Sequence, residues 1–379
     1  MEQLILPIVE SIVNAYDGPS LENVRIIGVQ HILETTHAMF QSLYKLGLRP
    51  ENISILGKCY STCREVHEEM LRDGIDVSPG SFSYFSHRPF DEFFGEEVQT
   101  FLTQCSKDFL EKKYDCVIIL DDGGKCIRFF SENIHLSIPM IAIEQTSSGY
   151  EAIRYNHLPF PVINVARSPV KLTLESPLIA RAAAERLYKS LHQRNISCNK
   201  ALIIGAGPIG KSIQQTISSD TQVTIYDENK SLSDDRRELS AIIHHFPLII
   251  GCTGKISVSK NVHKLLRPGT ALVSVSSSDR EFDAVHLRKL IPETQICHTD
   301  LMIDDLFLIN SGFPVNFDGG RENIEPELIQ LTIALIAAGI LQARKFENLR
   351  PGIIPIDYSM ENTIKNLYSN NLKSYTETT

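Results

Sequence analysis

A glycine-rich segment carries the most specific chemical signal in the chain. It has the pattern Gly-x-Gly-x-x-Gly, follows the apolar run 201–204 and precedes the helix-forming stretch 211–217. In such a strand–turn–helix, the first glycine permits a tight turn and the second lets the backbone approach a pyrophosphate, while the third lets the helix pack on the strand. The helix N-terminus adds free N–H groups and a partial positive charge. We therefore predict a dinucleotide-binding loop formed by Gly205, Gly207, Pro208, Ile209 and Gly210.

An acidic residue indicates which dinucleotide this loop prefers. The next apolar run, 223–226, is followed by Asp227, whose carboxylate can accept hydrogen bonds from the hydroxyls of the adenine-side ribose. A negative charge there repels the 2′-phosphate of NADP, so NAD is the predicted cofactor. The alternative interpretation is a glycine turn in an α/β domain that binds no cofactor.

Other loops at strand ends are predicted to contact the same cofactor. They follow the apolar runs 247–250, 271–275 and 306–309, and their small residues let the backbone approach a flat nicotinamide ring. The Asn310 side chain can bond the carboxamide of that ring. The predicted contacts from these loops are Cys252, Thr253, Gly254, Val275, Ser276 and Asn310. Ordinary polar turns are the alternative for each loop taken singly.

The elements that position these loops follow a repeating pattern. Short β-branched runs at 24–28, 53–57, 116–120, 140–143 and 162–165 alternate with stretches of helical spacing, and a second series starts at residue 201. Alternating strands and helices indicate parallel sheets covered on both faces. We predict an α/β fold with two open parallel-sheet domains, the second a Rossmann dinucleotide-binding domain. Residues 1–175 and 346–379 form the predicted substrate-binding domain, and residues 176–345, with a returning C-terminal helix, the predicted NAD-binding domain.

Composition narrows the possible partners. A formal net charge of −9 argues against nucleic acid, which demands a basic face. No run of 18 apolar residues appears, so we expect no membrane span, and the acidic N-terminus is not typical of a signal peptide. The eight scattered cysteines favour reduced thiols in a cytoplasmic protein. Cys59 and Cys63 lack a matching pair of ligands nearby, so no metal site is predicted.

Short motifs occur in the order found in the S-adenosylhomocysteine hydrolases, and the chain resembles that family from about Gly28 to Arg344. Gly28-Val29-Gln30-His31 resembles the family's first substrate loop, and Tyr60-Ser61-Thr62 its Phe-Ser-Thr segment. Further matching segments are Asp121-Asp122-Gly123-Gly124, Glu144-Gln145-Thr146-Ser147-Ser148-Gly149 and Asn164-Val165-Ala166-Arg167-Ser168-Pro169-Val170-Lys171. Glu175 stands where the family has an aspartate.

The resemblance implies an unusual reaction in which NAD⁺ is a recycled catalyst. Tightly held NAD⁺ oxidises the 3′-hydroxyl of a nucleoside substrate to a ketone, which acidifies the neighbouring C4′ proton. A base removes that proton, the 5′ thiol leaves, water adds and the hydride returns. A substrate domain comes first in that family, an NAD domain second, and a C-terminal helix returns to the substrate domain.

The resemblance also assigns roles to individual residues. Lys171 would assist loss of the hydroxyl proton with Glu175 orienting it, although a surface lysine paired with a glutamate one helical turn away is the alternative. Asp122 would contact the substrate, and otherwise it is a turn aspartate. His31 would act on the 5′ leaving group, and otherwise it is structural. Thr146, Ser147 and Ser148 are the predicted cofactor contacts from the first domain.

Several departures from the family remove groups that transfer protons. Gln145 replaces an acid, Ser277 and Phe313 stand where histidines are expected, and Ala166 replaces an asparagine. Residues 372–379 show no counterpart of the family's Lys/Tyr-bearing tail. Since each acid–base group contributes about 10²–10⁴ in rate, efficient hydrolysis of S-adenosylhomocysteine is not expected, whereas oxidation by NAD needs fewer such groups.

Three hypotheses follow from these motifs and departures. The first is a divergent NAD-dependent enzyme that oxidises a hydroxyl of a nucleoside-like small molecule between the two domains. The second is a protein that binds NAD and a nucleoside without turnover, and the third an authentic hydrolase. We also expect a homodimer or larger homo-oligomer, because the apolar run 331–338 is longer than one helix face requires. That run can equally be packed inside its own chain.

Overall fold

The computed structural model describes residues 3–107, 109, 113–133, 138–194, 196 and 199–378. The chain divides into two compact units. Unit 1 comprises Met1–Phe82, Gly95–Glu175 and Ile324–Thr379, and unit 2 comprises Ser83–Phe94 and Ser176–Asn323. Met1, Glu2 and Thr379, at the ends of the predicted substrate domain, lie outside the described residues.

The strands and helices alternate along both units. The strands are β1 (Val24–Val29), β2 (Ile53–Leu56), β3 (Asp76–Val77), β4 (Cys116–Asp121), β5 (Met140–Glu144), β6 (Pro161–Asn164), β7 (Lys200–Ile204), β8 (Gln222–Tyr226), β9 (Leu248–Gly251), β10 (Ala271–Ser274), β11 (Leu301–Ile303), β12 (Leu306–Leu308) and β13 (Gly352–Pro355). The helices are α1 (Pro7–Asn14), α2 (Glu34–Tyr44), α3 (Arg64–Arg72), α4 (Phe90–Lys107), α5 (Lys125–Asn133), α6 (Ser147–Ile153), α7 (Pro169–Gln193), α8 (Pro208–Ile217), α9 (Leu239–Ile242), α10 (Lys260–His263), α11 (Ala284–Arg288), α12 (Pro326–Arg344) and α13 (Tyr358–Thr378).

Unit 1 is built on a parallel sheet with the strand order β13-β6-β5-β4-β1-β2-β3. Strand β4 is buried along its whole length, as expected of a continuous apolar strand with both faces covered. Gly28 lets β1 approach β4, because a Cβ there would lie 2.1 Å from the Leu120 carbonyl oxygen. The direction of strand order reverses between β1 and β4, and ligands of open α/β sheets bind beside the carboxyl ends of strands at such a point.

Unit 2 is built on a second sheet, with the strand order β11-β12-β10-β9-β7-β8. Neighbouring strands are parallel except for β11, which runs antiparallel to β12 at the edge. The order reverses between β7 and β9, so the loops after these two strands flank the expected binding crevice. The predicted α/β fold with two mostly parallel sheets is confirmed.

Two segments belong to a different unit from the one predicted. Residues Ser83–Phe94 are part of unit 2, although they lie far from its other segment in the sequence. Helix α12 belongs to unit 1, whereas we predict it in the NAD-binding domain. The physical reason is that α12 is apolar on nearly every face, so it can be buried among α1, α2 and strands β4 and β5.

This burial bears on two expectations about α12. The helix has the length and composition of a membrane-spanning helix, but 78% of its apolar window is buried inside the protein. Residues 331–338 are buried in their own chain and present no face to a second copy. The run 331–338 therefore does not support a homo-oligomer, and the homo-oligomer stays a prediction.

Candidate functional site

The glycine loop of unit 2 has the geometry that a pyrophosphate requires. Gly205 follows β7 with φ at +111°, and a Cβ there would lie 2.9 Å from the carbonyl oxygen of Cys252. A Cβ at Gly210 would lie 1.9 Å from the Gly205 carbonyl oxygen, so this glycine is needed for α8 to pack on the loop. Gly207 precedes the first turn of α8, is exposed, and has no atom within 4 Å of its Cβ position. The open backbone at the start of α8 therefore fits a phosphate group.

The same residues match a second phosphate-binding pattern that the structure excludes. Residues 205–212 read Gly-x-x-x-x-Gly-Lys-Ser, the pattern of a nucleoside triphosphate-binding P-loop. In a P-loop this motif connects the strand to the helix. Here α8 already begins at Pro208, and the Lys211 N–H donates to the Gly207 carbonyl at 3.0 Å within the helix. The short turn is that of a Gly-x-Gly-x-x-Gly strand–turn–helix.

Asp227 lies directly after β8 and is bonded to the glycine loop. Its Oδ2 accepts a hydrogen bond from the Ala206 N–H at 2.8 Å, and its Oδ1 accepts one from the Asn229 N–H at 2.9 Å. The residue is partly exposed. Each carboxylate oxygen has two lone pairs, so Asp227 retains acceptor capacity for a sugar hydroxyl.

The loops after β9 and β10 meet at a carboxylate that the sequence pattern did not single out. Glu281 is 1% exposed and accepts hydrogen bonds from the N–H groups of Thr253 and Gly254 at 2.5 and 2.6 Å. The Ser276 hydroxyl also donates to it, at 2.5 Å. Val275 is buried beside these loops. Three predicted contacts, Thr253, Gly254 and Ser276, are thus brought together by Glu281.

The Asn310 side chain is bonded within its own loop. Its backbone is left-handed, with φ at +50°, and the residue is 6% exposed. The side-chain amide donates to the carbonyl oxygens of Pro314 and Phe317, both at 2.8 Å. Since both of its N–H donors hold this loop in shape, Asn310 has a structural role here and does not offer them to a carboxamide.

Phe313 lies in an aromatic cluster instead of facing a ligand. It is fully buried, and its ring centroid lies 5.6 Å from that of Tyr84 and 5.7 Å from that of Phe90. Next to it, the buried Arg288 donates to the Ser86 carbonyl at 2.7 Å and pairs with Asp279 at 2.5 Å. Tyr84 and Phe90 both belong to the segment Ser83–Phe94, so the Phe313 ring helps to pack that segment within unit 2.

In unit 1, four polar side chains converge beside the point where the strand order reverses. Asp122, after β4, accepts hydrogen bonds on Oδ2 from His31 Nε2 at 3.0 Å and from Gln145 Nε2 at 2.9 Å. Lys58, after β2, pairs with Asp122 Oδ1. Asp122, Lys58 and Gln145 are buried, whereas the His31 side chain is 27% exposed. His31 is therefore the member of this Asp122 cluster that a ligand can reach.

Electrostatics keep the central pair of this cluster ionised. Burial acts to raise the pKa of Asp122, but the charges of Lys58 and His31 and their hydrogen bonds outweigh it and hold the pKa well below its usual value. Burial acts to lower the pKa of Lys58, but Asp122 outweighs it and raises that pKa above its usual value. The sequence pattern missed Lys58, although its signal is the same as that of His31 and Asp122, a polar residue just past a buried strand.

The cluster has the connectivity of a Ser–His–Asp triad but not its exposure. His31 Nδ1 lies 2.6 Å from the Ser61 hydroxyl, and the other ring nitrogen is bonded to Asp122. A nucleophilic serine must reach the substrate, and Ser61 is only 1% exposed. We therefore assign Ser61 to orienting the His31 ring.

Two further carboxyl groups lie beneath the cluster. Asp121 and Glu144 are paired in register across β4 and β5, and both are buried. Burial, followed by the nearby negative charge of Asp122, raises the pKa of Asp121 to about 6. Burial and the charge of Asp121 raise the pKa of Glu144 well above its usual value. Gly149 leaves room for the Glu144 carboxyl, which a Cβ there would approach to 2.3 Å.

The predicted lysine pair is present at the start of α7. Lys171 Nζ lies 2.5 Å from Glu175 Oε2, and Glu175 Oε1 accepts a hydrogen bond from the Thr332 hydroxyl at 2.8 Å. Both side chains are largely buried, with 11% and 18% exposed, so this is not the exposed surface pair of the alternative interpretation. Thr146 caps α6 and bonds the Glu144 carboxyl, while Ser147 and Ser148 are exposed in its first turn.

Comparison with known proteins finds relatives of this chain in Mycobacterium tuberculosis. Its sequence is 40% identical over 343 residues to "Uncharacterized protein MT0113" and "Uncharacterized protein Rv0104" of two Mycobacterium tuberculosis strains. The match covers 89% of this chain and 67% of each relative. The chain belongs to their family. No protein-family model matches the sequence.

Some solved structures show a limited likeness to the chain. They include NAD⁺-bound 3-phosphoglycerate dehydrogenase of Entamoeba histolytica, with 11% identity, 86% of this chain and 99% of that chain covered, and a TM-score of 0.38. A dipicolinate synthase chain of Bacillus halodurans has 11% identity, coverages of 86% and 98%, and a TM-score of 0.45. An L-alanine dehydrogenase has 12% identity, coverages of 96% and 95%, and a TM-score of 0.33. These low scores assign neither cofactor nor substrate to the family.

Proposed function

We propose that this protein is a divergent adenosylhomocysteinase-like, NAD-dependent enzyme that oxidises a hydroxyl group of a nucleoside-like small molecule. The observation that carries the proposal is the open backbone at Gly207, flanked by two glycines that the fold requires for packing. Such a loop at the start of a helix is suited to a pyrophosphate. Asp227, bonded to the same loop, supplies the acceptor for the adenine-side ribose.

The residues of unit 2 determine how the cofactor would be held. Gly207 and the first turn of α8 would bind the pyrophosphate, and Asp227 the ribose. The negative charge of Asp227 would disfavour a 2′-phosphate. When bound, NAD supplies the hydride acceptor for oxidation of an alcohol.

The residues of unit 1 would bind the substrate and transfer its protons. His31 is the accessible group of the Asp122 cluster, and its ring is oriented by Ser61 and Asp122. Lys171, held by Glu175, would assist the loss of the hydroxyl proton. Gln145 bonds Asp122 where the resembling family has an acid, so no acid–base group is available at that position for elimination or hydration.

Cofactor binding is tested by calorimetry on the full chain. We expect NAD to bind more tightly than NADP, and Asp227→Ala to reduce that preference because the charge that repels the 2′-phosphate is gone. Asp220→Ala removes an exposed charge elsewhere in unit 2 and is the matched control. If NAD neither binds in solution nor is released on denaturing the purified protein, the proposal is wrong.

A protein that binds NAD without turnover is the second candidate. Two features favour this candidate. The Asn310 donors are bonded within their own loop, and a buried phenylalanine, Phe313, stands where the S-adenosylhomocysteine hydrolases have a histidine. The two candidates differ in whether bound cofactor becomes reduced when nucleosides are added. Formation of adenosine and homocysteine from S-adenosylhomocysteine at about 10 per second would instead indicate an authentic hydrolase.

The effect of changing Lys171 distinguishes an NAD-dependent enzyme from a protein that binds NAD without turnover. For the enzyme, we expect Lys171→Ala to lower the rate of cofactor reduction at least about 10²-fold while leaving NAD affinity nearly unchanged. Lys171→Arg keeps a cation beside Glu175 but cannot release a proton, so it should fail as well. The rate is followed by the absorbance of the reduced nicotinamide. Normal reduction in either variant would remove Lys171 from the mechanism.

A further inference from the structure

A buried carboxylate in unit 2 has no role in the function proposed above. Glu281 lies between β10 and α11, and its Oε1 accepts from the N–H groups of Thr253 and Gly254 and from the Ser276 hydroxyl. Its Oε2 accepts from the Thr253 hydroxyl at 2.9 Å. All of these donors are electrically neutral, so they do not cancel the negative charge of a carboxylate.

The position of this charge is built into the fold. A Cβ at Gly251, the last residue of β9, would lie 2.7 Å from Glu281 Oε2, so glycine there leaves room for the carboxyl group in its present position. The adjacent Arg280 pairs with another acid, with its Nε 2.8 Å from Asp91 Oδ2, and its Nη1 donates to the Gly254 carbonyl at 2.9 Å. Burial and the negative charge of Glu281 together raise the pKa of the Cys252 thiol. The charge therefore acts on groups at the carboxyl end of β9.

The strand order indicates which half of a dinucleotide would lie near Glu281. The sheet runs β8-β7-β9-β10, with Asp227 after β8 and the glycine loop after β7. If Asp227 receives the adenine-side ribose and the glycine loop the pyrophosphate, the other half of the molecule continues over β9 and β10. That half carries the nicotinamide ring, which is positively charged in NAD⁺ and neutral in NADH.

We propose that Glu281 is a specificity-determining residue that makes the site prefer the oxidised cofactor, NAD⁺, over NADH. This inference rests on the proposed dinucleotide site. A buried carboxylate attracts the positive nicotinamide of NAD⁺ but gains nothing from the neutral ring of NADH. At an effective dielectric of about 20, two unit charges about 12 Å apart interact by about 1.4 kcal/mol, which is about a tenfold change in affinity.

Calorimetric titrations of the full chain with ADP-ribose, NAD⁺ and NADH test this inference. In the unmodified protein we expect NAD⁺ to bind about tenfold more tightly than NADH. Glu281→Gln should bring the two affinities close together, while ADP-ribose, which lacks nicotinamide, should bind within about twofold of its original affinity. Asp283→Asn removes a negative charge from the same segment and should leave the NAD⁺/NADH ratio unchanged.

Each result decides the inference. Equal affinities for NAD⁺ and NADH in the unmodified protein would overturn it without any variant, even if Glu281→Gln failed to fold. An unchanged ratio in Glu281→Gln with ADP-ribose binding retained would also overturn it while leaving the dinucleotide site intact. Failure of all three compounds to bind the unmodified protein would overturn the proposed function and this inference together.

Discussion

At the scale of single residues, Asp122 shows how a buried charge is kept in place. Its two oxygens accept hydrogen bonds from a lysine, a histidine and a glutamine that follow three other strands of the same sheet. Removing one partner of a buried pair costs more than the pair itself contributes, because the remaining charge is left without compensation. The stability of unit 1 should therefore depend strongly on both Asp122 and Lys58.

Asp122→Asn tests this dependence. The change keeps the side-chain shape but leaves Lys58 buried without its anion, so we expect the free energy of unfolding to fall by about 3–5 kcal/mol. Urea denaturation measures the loss, and the double variant with Lys58→Met should lose less than the sum of the single changes. Glu151→Gln, which breaks exposed ion pairs to Arg154 and Arg167, should cost about 0–1 kcal/mol. A similarly small loss for Asp122→Asn would show that the buried Lys58 does not depend on the charge of Asp122.

Asp121 makes stability depend on pH. Its pKa is raised from 3.8 to about 6 in the folded protein, so the folded state binds more protons than the unfolded chain between these values. Stability should therefore fall as pH rises from about 4 to about 6, and Asp121→Asn should flatten that part of the profile. Urea denaturation at several pH values measures the slope, with the exposed Asp304→Asn as control. An unchanged slope in Asp121→Asn would show that another group is responsible.

At the scale of elements, the apolar strands were predictable, whereas β3 and β13 were not. Runs such as 116–120 and 201–204 are β-branched and buried on both faces, which is a strong signal for a parallel strand. Strand β3 has only two residues, and β13 begins with glycine and ends with proline. Such segments become strands because a neighbouring strand offers hydrogen bonds, and this information is tertiary.

The candidate sites follow the same rule. The glycine loop was found because it directly follows a predictable strand, whereas His31 and Asp122 were found through the resemblance to the S-adenosylhomocysteine hydrolases. Glu281 was missed because it lies in an irregular loop, and its partners at 253 and 254 come from another part of the chain. The packing of Phe313 against Tyr84 and Phe90 likewise joins segments more than 200 residues apart in sequence, which no local pattern reports.

At the scale of the whole molecule, the chain combines two sheets with separate chemical equipment. Unit 1 holds the Asp122 cluster and the Lys171–Glu175 pair, and unit 2 holds the glycine loop and Glu281. An enzyme that binds its substrate in one unit and a dinucleotide in the other needs such a distribution of residues. We propose that unit 2 binds NAD through the open backbone at Gly207.

The affinity of NAD for Gly207→Ala, compared with the unmodified protein by calorimetry, tests that claim most directly. No atom lies within 4 Å of the added Cβ and the backbone φ is −70°, so the free energy of unfolding should change by no more than about 1 kcal/mol. The methyl group would occupy the place of the pyrophosphate, and we expect NAD affinity to fall at least about tenfold. Equal NAD affinity in the two proteins would show that NAD does not bind at Gly207.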